Sequence, residues 1–215
     1  MKELFDKISL KNRVSGTTEE ASIFRGLDAN NLVHVETRWR PIFELRRIEA
    51  KASAQTMSQI NAEDSHWQWG VKAIKAIRDP FMFDIFALEA NNSTQGLMLL
   101  RKGGDECISR HNEHPRAQIV YVDLLATAPW NRPILVDEPV YKGVGGALLV
   151  AAITVSREQG LHGCIGLHSL KEAESFYRDV VQMTDLGIEQ EGDHKGLRYF
   201  ELPKSQATSF ASDQH

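Results

Sequence analysis

The sequence Val140-Tyr-Lys-Gly-Val-Gly-Gly-Ala-Leu-Leu149 joins an apolar, strand-like stretch to an amphipathic helix. Three glycines crowd the start of that helix, beside Lys142. The first backbone N–H groups of a helix have no intrahelical partner, and the helix dipole adds positive charge there. Glycine has no Cβ that would hold an anion away from these groups. The stretch therefore predicts a turn that binds a phosphate or pyrophosphate, with an ordinary glycine-rich turn as the alternative.

Two common nucleotide-binding motifs are excluded by the letters of this stretch. A P-loop needs a glycine, four residues and then Gly-Lys-Ser/Thr, and no such run occurs in the chain. A dinucleotide-binding fingerprint needs Gly or Ala three residues after Gly145, where Leu148 stands. The cofactor is therefore expected to be phosphorylated but held by a different motif.

Length and composition indicate an ordinary globular protein. The 215 residues can form one large domain, or one domain with an appendage, and can bury a substantial core. A net charge of −4 gives no general attraction for nucleic acid or an anionic membrane. The N-terminus is too charged for a signal peptide, and no apolar run approaches the roughly 18 residues of a membrane span. We expect a cytoplasmic protein without a membrane partner, and nucleic acid is not an expected partner.

Cysteine and histidine lie close together in two places, over 107–114 and 162–168. Thiolate and imidazole are zinc ligands, but neither cluster has the spacing of a known zinc site. We therefore expect no metal. Cys164 and His168 fall on one face of a short strand, and we interpret them as buried strand residues rather than as a nucleophile and its base.

Hydrophobic periodicity predicts an α/β domain with a mixed sheet. Helical spacing runs from Arg38 to about Met57 and again through Trp67 to Ile77, ending at Asp79-Pro80. Strands are predicted at 82–88, 96–100, 118–126, 164–168, 186–190 and 197–202, and further helices after the glycine turn and at 172–181. Three regions follow from this pattern: an N-terminal extension over 1–35, a domain over 36–204 and a flexible tail over 205–215.

Three features of the chain occur in a characteristic order. They are a strand ending in Leu-Leu-Ala-Thr-Ala-Pro129, the Lys-Gly-Val-Gly-Gly turn with its helix, and Ala173-Glu-Ser-Phe-Tyr177 in the next helix. In that order the chain resembles the GNAT superfamily of acetyl-CoA-dependent N-acetyltransferases, over roughly residues 38 to 203. The resemblance implies a mixed, mostly antiparallel central sheet flanked by helices, with acetyl-CoA as the acyl donor and no metal.

The resemblance also implies roles for particular residues. In this family the strand separates from its neighbour, and its exposed backbone groups pair with the pantetheine arm of acetyl-CoA. The matching residues here are Leu125, Ala126 and Thr127. The turn, with Lys142, Gly143, Val144, Gly145 and Gly146, would hold the pyrophosphate, and Tyr177 would lie near the thioester sulfur.

The chain departs from the family pattern in two places. Val140 stands where Arg or Gln usually precedes the first glycine by three residues, so that Lys142 would have to supply the cation. Asn131 to Pro139 form an insertion between the strand and the turn, which is either an ordered excursion near the site or a plain surface loop.

Acetyl transfer to an amine requires that the amine lose a proton. A lysine-like amine has a pKa of about 10.4, so deprotonating it near pH 7 costs roughly 4–5 kcal/mol, which a general base offsets. Asp123 is the best-placed carboxylate, since strand alternation puts it on a face with Tyr121 and Leu125; Glu89 is a weaker candidate. An aspartate neutralised by an arginine is the alternative for Asp123. Tyr177 would donate a hydrogen bond to the departing thiolate, or else be a packed core aromatic.

The sequence therefore predicts an N-acetyltransferase that moves an acetyl group from acetyl-CoA to a primary amine of an unidentified acceptor, by direct transfer in a ternary complex. Trp67, Trp69 and Trp130 could wall the acceptor pocket. Two alternatives stay open: a non-catalytic acyl-CoA-binding sensor or assembly module, and a toxin-like enzyme that acetylates aminoacyl-tRNA. The second is supported only by basic residues near the first helix: Arg38, Arg40, Arg46, Arg47 and Lys51. A homodimer is compatible with the sequence.

Overall fold

A computed structural model describes residues 2–52 and 62–213 of the chain. The strands in these residues are β1 (Glu3–Asn12), β2 (Thr18–Arg25), β3 (Phe83–Ala90), β4 (Ser93–Arg101), β5 (Val120–Thr127), β6 (Tyr141–Lys142), β7 (Ile165–Ser169), β8 (Thr184–Ile188) and β9 (Arg198–Leu202). The α-helices are α1 (Ala29–His34), α2 (Arg40–Ala52), α3 (Trp69–Arg78), α4 (Val144–Glu158) and α5 (Lys204–Asp213). Short π-helical segments occupy Val35–Trp39 and Phe176–Val180.

The strands form a nine-stranded sheet in the order β6-β1-β2-β3-β4-β5-β7-β9-β8. The β1–β2, β1–β6, β2–β3, β7–β9 and β8–β9 pairs are antiparallel, whereas β5 and β7 are parallel. This confirms the predicted mixed, mostly antiparallel sheet with flanking helices. Among the described residues, no helix combines the length and the apolar character needed to cross a bilayer.

Residue contacts divide the chain into two units. The first contains Met1–Pro80, Asp84–Met98 and Leu125–Leu148, and the second contains Phe81–Phe83, Leu99–Leu124 and Leu149–His215. The regions predicted from the sequence, with boundaries at 35 and 204, divide the chain differently from these two units. Those boundaries stay a prediction.

The first unit differs from the sequence-based expectation at its N-terminus. Much of the predicted extension forms the β1–β2 hairpin, and β2 pairs with β3. The apolar pattern of this hairpin is weak in the sequence, since most β1 side chains are at least partly exposed. Leu10 is the β1 residue that is fully buried. The turn between β3 and β4 is also tighter than predicted. It consists of Asn91 and Asn92, both with positive φ, which matches a two-residue hairpin turn.

Helices of the first unit follow the predicted periodicity. A continuous helical segment from Ala29 to Ala52 contains the predicted first helix, whose expected end near Met57 lies outside the described residues. The helix α3 ends one residue before Asp79, as the Asp79-Pro80 pair predicts. Trp39 anchors the segment, since its ring is buried and its indole N–H donates to the Thr94 carbonyl at 3.2 Å.

In the second unit, β7 and β8 flank β9. Most of the residues of α4 also belong to this unit. The predicted apolar face of α4 is buried at Ala151, Ala152 and Val155, and Gly160 follows the helix with a φ of +73°. The segment predicted as a helix over 172–181 is a 3-10 turn at Lys171–Ala173 followed by the π-helical segment.

Residues 205–213 of the predicted flexible tail belong to α5 instead. Ala207, Phe210 and Ala211 are buried, so one side of this helix packs on the protein. The serine, glutamine and threonine residues around them give the segment a polar composition, so the three apolar positions form no clear pattern in the sequence.

Candidate cofactor and catalytic sites

The predicted phosphate-binding turn lies at the N-terminus of α4. Gly143 has a φ of +93°, a conformation that favours glycine, and a Cβ built on it would meet no atom within 4 Å. The Ala147 N–H donates to the Gly143 carbonyl at 2.9 Å, which begins the helical hydrogen bonding. The N–H groups of Val144, Gly145 and Gly146 therefore belong to the first turn, where helix geometry supplies no acceptor.

Two lysines stand beside this turn. Lys142 of β6 lies directly opposite Lys11 of β1, and both side chains are exposed. Opposite residues of an antiparallel pair project from the same face, so the two ammonium groups add positive charge on one side of the strand pair. Lys11 was not predicted, because only the pairing of β1 with β6 brings it here.

Gly96 of β4 sets how closely α4 approaches the sheet. A Cβ at this position would lie 2.8 Å from Val144 Cγ1, 2.9 Å from Leu148 Cδ1 and 3.2 Å from the Ala126 carbonyl oxygen. Even the smallest side chain would therefore push the first turn of α4 away from β4 and β5. No local pattern in the sequence indicates this contact, because its partners are distant along the chain.

The backbone of β5 determines which of the predicted pantetheine contacts can form. The Ala128 N–H donates to the Gln95 carbonyl of β4 at 2.8 Å, and the Ala126 carbonyl also faces β4, next to Gly96. Because backbone direction alternates along a strand, the N–H and C=O groups of Leu125 and Thr127 point away from β4. Of the three residues predicted to pair with pantetheine, only Leu125 and Thr127 direct their backbone groups away from β4. The backbone groups of Ala126 face β4.

A buried ion pair holds the end of β5. The Arg132 guanidinium donates to the Thr127 carbonyl from Nη2 at 2.7 Å and from Nε at 3.0 Å, and it contacts both carboxylate oxygens of Asp64. The Arg132 and Asp64 side chains are only 11% and 6% exposed. The Thr127 carbonyl is therefore already engaged, whereas the Thr127 N–H and the polar groups of Leu125 do not take part in this ion pair.

The insertion between β5 and β6 is an ordered loop. Its ends are joined by the Val140 N–H, which donates to the Trp130 carbonyl at 3.0 Å, and by the Tyr141 N–H, which donates to Asn131 Oδ1 at the same distance. Leu135 within the loop is fully buried. Of the two interpretations of this insertion, the ordered excursion fits.

In the second unit, Asp123 lies near an arginine. One Asp123 oxygen is 3.6 Å from Arg101 Nη2, and the Asp123 side chain is 13% exposed. This arrangement corresponds to the alternative in which an arginine neutralises the aspartate. The role of Asp123 as a base stays a prediction.

Tyr177 is a buried ring in the second unit. It is 6% exposed and contacts the rings of Phe176 and Phe200, with centroids 5.2 and 5.9 Å away. Burial raises the pKa of its hydroxyl, so it would act as a hydrogen-bond donor and not as an anion at neutral pH. The contacts match those of a core aromatic, and its contact with a thioester stays a prediction.

Two histidines and a tyrosine form a cluster that sequence reasoning missed. The Tyr121 hydroxyl lies 2.8 Å from His168 Nδ1 and 3.4 Å from His194 Nε2. The two imidazole rings are stacked, with centroids 4.2 Å apart and planes 10° apart. His168 is not simple strand filler, since three elements supply partners for its ring. The signal was absent from the sequence because His194 comes from the loop between β8 and β9.

The neighbouring groups determine which atoms donate and which accept hydrogen bonds in this cluster. His168 Nε2 is 3.4 Å from Glu189, whose pKa is lowered by a hydrogen bond from Arg110. A carboxylate only accepts, so His168 donates from Nε2 and accepts from the Tyr121 hydroxyl at Nδ1. Burial and the neighbouring His194 lower the pKa of His168 to about 4, which keeps the ring neutral at pH 7. The Tyr121 oxygen can then accept from His194 Nε2.

The remaining predicted residues have structural partners. Glu89, the weaker base candidate, accepts from Lys2 at 2.5 Å and from Asn31. Trp67 and Trp69 stack edge to face on each other, whereas Trp130 does so on Trp39.

The basic residues of the first helical region are mostly paired with acids. Arg40, Arg46 and Arg47 each lie 2.6 Å from a glutamate on the same helical segment, whereas Arg38 and Lys51 form no ion pair with a described residue. This pattern is typical of a solvated helix face.

The cysteine and histidine clusters do not assemble into a metal site. Among residues 2–52 and 62–213, no group of three His, Cys, Asp or Glu side chains is arranged to hold a metal ion. Cys107 is fully buried, its thiol donates to the Arg101 carbonyl at 3.3 Å, and burial raises its pKa to about 11. His111 instead contacts the Thr184 hydroxyl at 3.1 Å.

Comparison with known proteins supports the fold. No protein-family model and no curated protein matches the chain. An uncharacterized protein from Bacillus halodurans superimposes with a TM-score of 0.57 at 9% identity, over 99% of this chain and 97% of that one. A protein assigned to the GNAT family of acetyltransferases from Desulfovibrio desulfuricans gives 0.51 at 10% identity, over 86% and 99% of the two chains.

A third solved structure, the PaiA N-acetyltransferase from Thermoplasma acidophilum in complex with coenzyme A, gives a TM-score of 0.50 at 12% identity, over 85% of this chain and 98% of that one. At these identities the likeness concerns the fold. The chain has the fold of the GNAT acetyltransferases, as the resemblance in its sequence implied.

Proposed function

We propose that this protein is an acetyl-CoA-dependent N-acetyltransferase that transfers an acetyl group directly to a primary amine. The observation that carries the proposal is the N-terminus of α4, where a positive-φ Gly143 precedes the first helical turn and stands next to the exposed Lys142. The fold shared with the N-acetyltransferase that was crystallised with coenzyme A supports the choice of cofactor.

In this proposal the first unit binds the cofactor. The N–H groups of Val144, Gly145 and Gly146 hold the pyrophosphate, and Lys142 and Lys11 add positive charge. The pantetheine amides pair with the backbone of Leu125 and with the Thr127 N–H, since Arg132 already occupies the Thr127 carbonyl. Arg132 acts as a positioning residue because it fixes the end of the strand that pairs with the ligand.

The attacking amine must lose a proton, and Asp123 is proposed as its general base. Tyr177 is proposed as the hydrogen-bond donor to the departing thiolate.

A charge placed in the turn tests the proposal. We expect Gly145→Glu to lower the affinity for acetyl-CoA by at least about a hundredfold, because like charges 4 Å apart repel by about 4 kcal/mol near a protein surface. Isothermal titration calorimetry with acetyl-CoA measures this directly. Gln159→Glu is the matched control, since it adds the same charge at the exposed far end of the same helical region.

Two outcomes would contradict the proposal. One is wild-type affinity in Gly145→Glu, and the other is the absence of acetyl-CoA binding by the folded wild-type protein. Circular dichroism of both variants shows whether the fold is kept.

A non-catalytic acyl-CoA sensor is the second candidate, because Tyr177 is buried and Asp123 lies beside Arg101. Release of free thiol from acetyl-CoA, followed across a panel of primary amines, separates the two functions. An enzyme releases thiol with at least one amine and loses that activity in Asp123→Asn. A sensor binds acetyl-CoA without turnover.

A further inference from the structure

A cavity of about 470 Å³ lies within the first unit. Its volume falls in the range of small-molecule sites, about 300–1,000 Å³. Trp130 and Val140 give it apolar surface, whereas Asn91, Gln95 and Tyr141 give it polar groups. None of these residues belongs to the set proposed to bind acetyl-CoA.

Arg38 is the one charged residue among those that line the cavity. Its side chain is exposed, and its Nη1 donates to the Ser93 hydroxyl. In the part of the chain that the structure describes, no carboxylate forms an ion pair with it, in contrast to Arg40, which is bound to Glu36 at 2.6 Å. A guanidinium has several N–H donors in a planar fork that matches a carboxylate. Arg38 therefore offers an anion site at the cavity wall.

A second group of polar lining residues is held in place by its own hydrogen bonds. Asn91 donates from its amide nitrogen to Glu19 at 2.6 Å and to the Tyr141 hydroxyl at 2.7 Å. Tyr141 in turn donates to Glu19 at 2.5 Å. Because both amide hydrogens of Asn91 are used, its oxygen is an acceptor, and no described residue donates to it. This oxygen can accept from an N–H group of a ligand.

The aromatic wall is equally fixed. The Trp130 indole N–H donates to Gln95 Oε1 at 2.8 Å, and the Trp130 ring packs edge to face on Trp39. A ligand that enters the cavity therefore meets a preset ring surface and does not have to order these side chains, which reduces the entropic cost of binding.

We propose that this cavity binds an amino acid with an aromatic side chain. Arg38 holds the ligand carboxylate, the Asn91 oxygen accepts from the ligand ammonium group, and Trp130 packs against the ligand ring. A single cation suits a monoanionic carboxylate, and no lining residue is acidic. The inference is independent of the proposed acetyl transfer, because it uses no residue of the cofactor turn.

A matched series of ligands tests the proposal on the full-length protein. The probes are L-phenylalanine, phenethylamine, which lacks the carboxylate, and 3-phenylpropionate, which lacks the amine. We expect L-phenylalanine to bind and each analogue to bind about tenfold or more weakly, since each leaves one polar partner unmatched. Titration calorimetry measures the affinities, and two-dimensional NMR reports the Trp130 indole N–H shift.

Variants of Arg38 complete the test. Arg38→Gln is expected to abolish the preference for L-phenylalanine over phenethylamine, and Arg38→Lys to keep part of it. Arg40→Gln, which removes a paired arginine of the same helical segment, should change neither affinity. Because Arg38 is exposed, the fold should survive, which thermal unfolding verifies.

The proposal is overturned if L-phenylalanine shows no binding, if Arg38→Gln binds it as tightly as the wild type, or if saturating coenzyme A displaces it. The last result would make the cavity part of the cofactor site. Acetyl-CoA affinity measured on the same samples separates the two proposals, since Arg38→Gln should leave it unchanged. Loss of acetyl-CoA binding alone would contradict only the acetyltransferase.

Discussion

The buried imidazole of His168 makes stability depend on pH. Its pKa of about 4 lies below the ordinary 6.5, so the unfolded chain takes up the proton first as pH falls. The contribution of His168 to the free energy of unfolding is therefore fully present above about pH 6.5. It is lost progressively as the pH falls to about 4, where His168 of the folded protein also becomes protonated. At about 1.4 kcal/mol per unit of pKa, the loss is of the order of 3 kcal/mol.

Urea unfolding at several pH values between about 4 and 7.5 checks this prediction. The wild type should lose more stability over that range than His168→Gln, which has no group to protonate. His162→Gln is the control, because it makes the same substitution at an exposed histidine. Parallel curves for the wild type and His168→Gln would contradict the prediction.

Asp64 and Arg132 give a second prediction for single residues. We expect Asp64→Ala to lower the free energy of unfolding by about 3–5 kcal/mol, because it leaves a buried guanidinium without its carboxylate. Glu36→Ala removes the partner of the more exposed Arg40 and should cost less than about 1 kcal/mol. Chemical unfolding of both variants measures the difference, and equal costs would show that burial does not govern the Arg132 pair.

The sequence pointed to the local part of the candidate site and not to its long-range part. The glycine turn and Lys142 became candidates because helix starts and glycine act within a few residues. Lys11, Arg132 and the His168–Tyr121 contact depend on partners far along the chain. Such partners leave no periodic pattern in the sequence, so these contacts can be identified only from the three-dimensional structure.

Among the elements, α4 depends on the absence of a side chain at Gly96. We expect Gly96→Ala to lower stability by about 1–3 kcal/mol and to weaken acetyl-CoA binding, because the added methyl group overlaps Val144 and Leu148. Gly70→Ala is the control within a helix. Its Cβ would lie 3.9 Å from the nearest atom, Leu32 Cδ1, so that helix propensity should leave stability unchanged or raised.

Chemical unfolding and calorimetry with acetyl-CoA compare the two variants. If Gly96→Ala left the free energy of unfolding unchanged, α4 could shift on the sheet without cost. That result would contradict the close packing of α4 against β4.

Periodicity predicted the elements that have a clear buried face. The helix α3, the strand β5 and the helix α4 all occur near their predicted positions, because apolar residues repeat along one side of each. The hairpin of β1 and β2 was missed because little of β1 is buried. The π-helical segment at Phe176–Val180 replaces a predicted α-helix, since five residues are too few to show a period different from that of an α-helix.

For the whole molecule, the C-terminal helix should contribute to stability. Phe210 is 7% exposed, so Phe210→Ala should cost about 3–5 kcal/mol. Phe81 has the same side chain but is 90% exposed, and Phe81→Ala should change stability by less than about 0.5 kcal/mol. Thermal or urea unfolding of the two variants measures this contrast. If Phe210→Ala were neutral, the last residues would behave as the tail that the sequence suggested.

The fold class followed from the order of elements along the chain. Early helices, a hairpin and then alternating strands and helices indicated a mixed sheet, and the nine-stranded sheet agrees. The additional strands β1, β2 and β6 were not predicted from the sequence. A two-residue strand such as β6 is defined only by its partner, which is β1.

The irregular outer strands of the sheet affect how the protein behaves at high concentration. Lys11 and Asn12 are the β1 residues that β6 covers, and the β1–β2 register shifts between Leu4 and Asp6. At the opposite border, the register of β8 shifts between Asp185 and Ile188. A strand from a second molecule would have to match these offsets and the charges along β1. Both borders therefore disfavour fibril-like stacking of one molecule on the next.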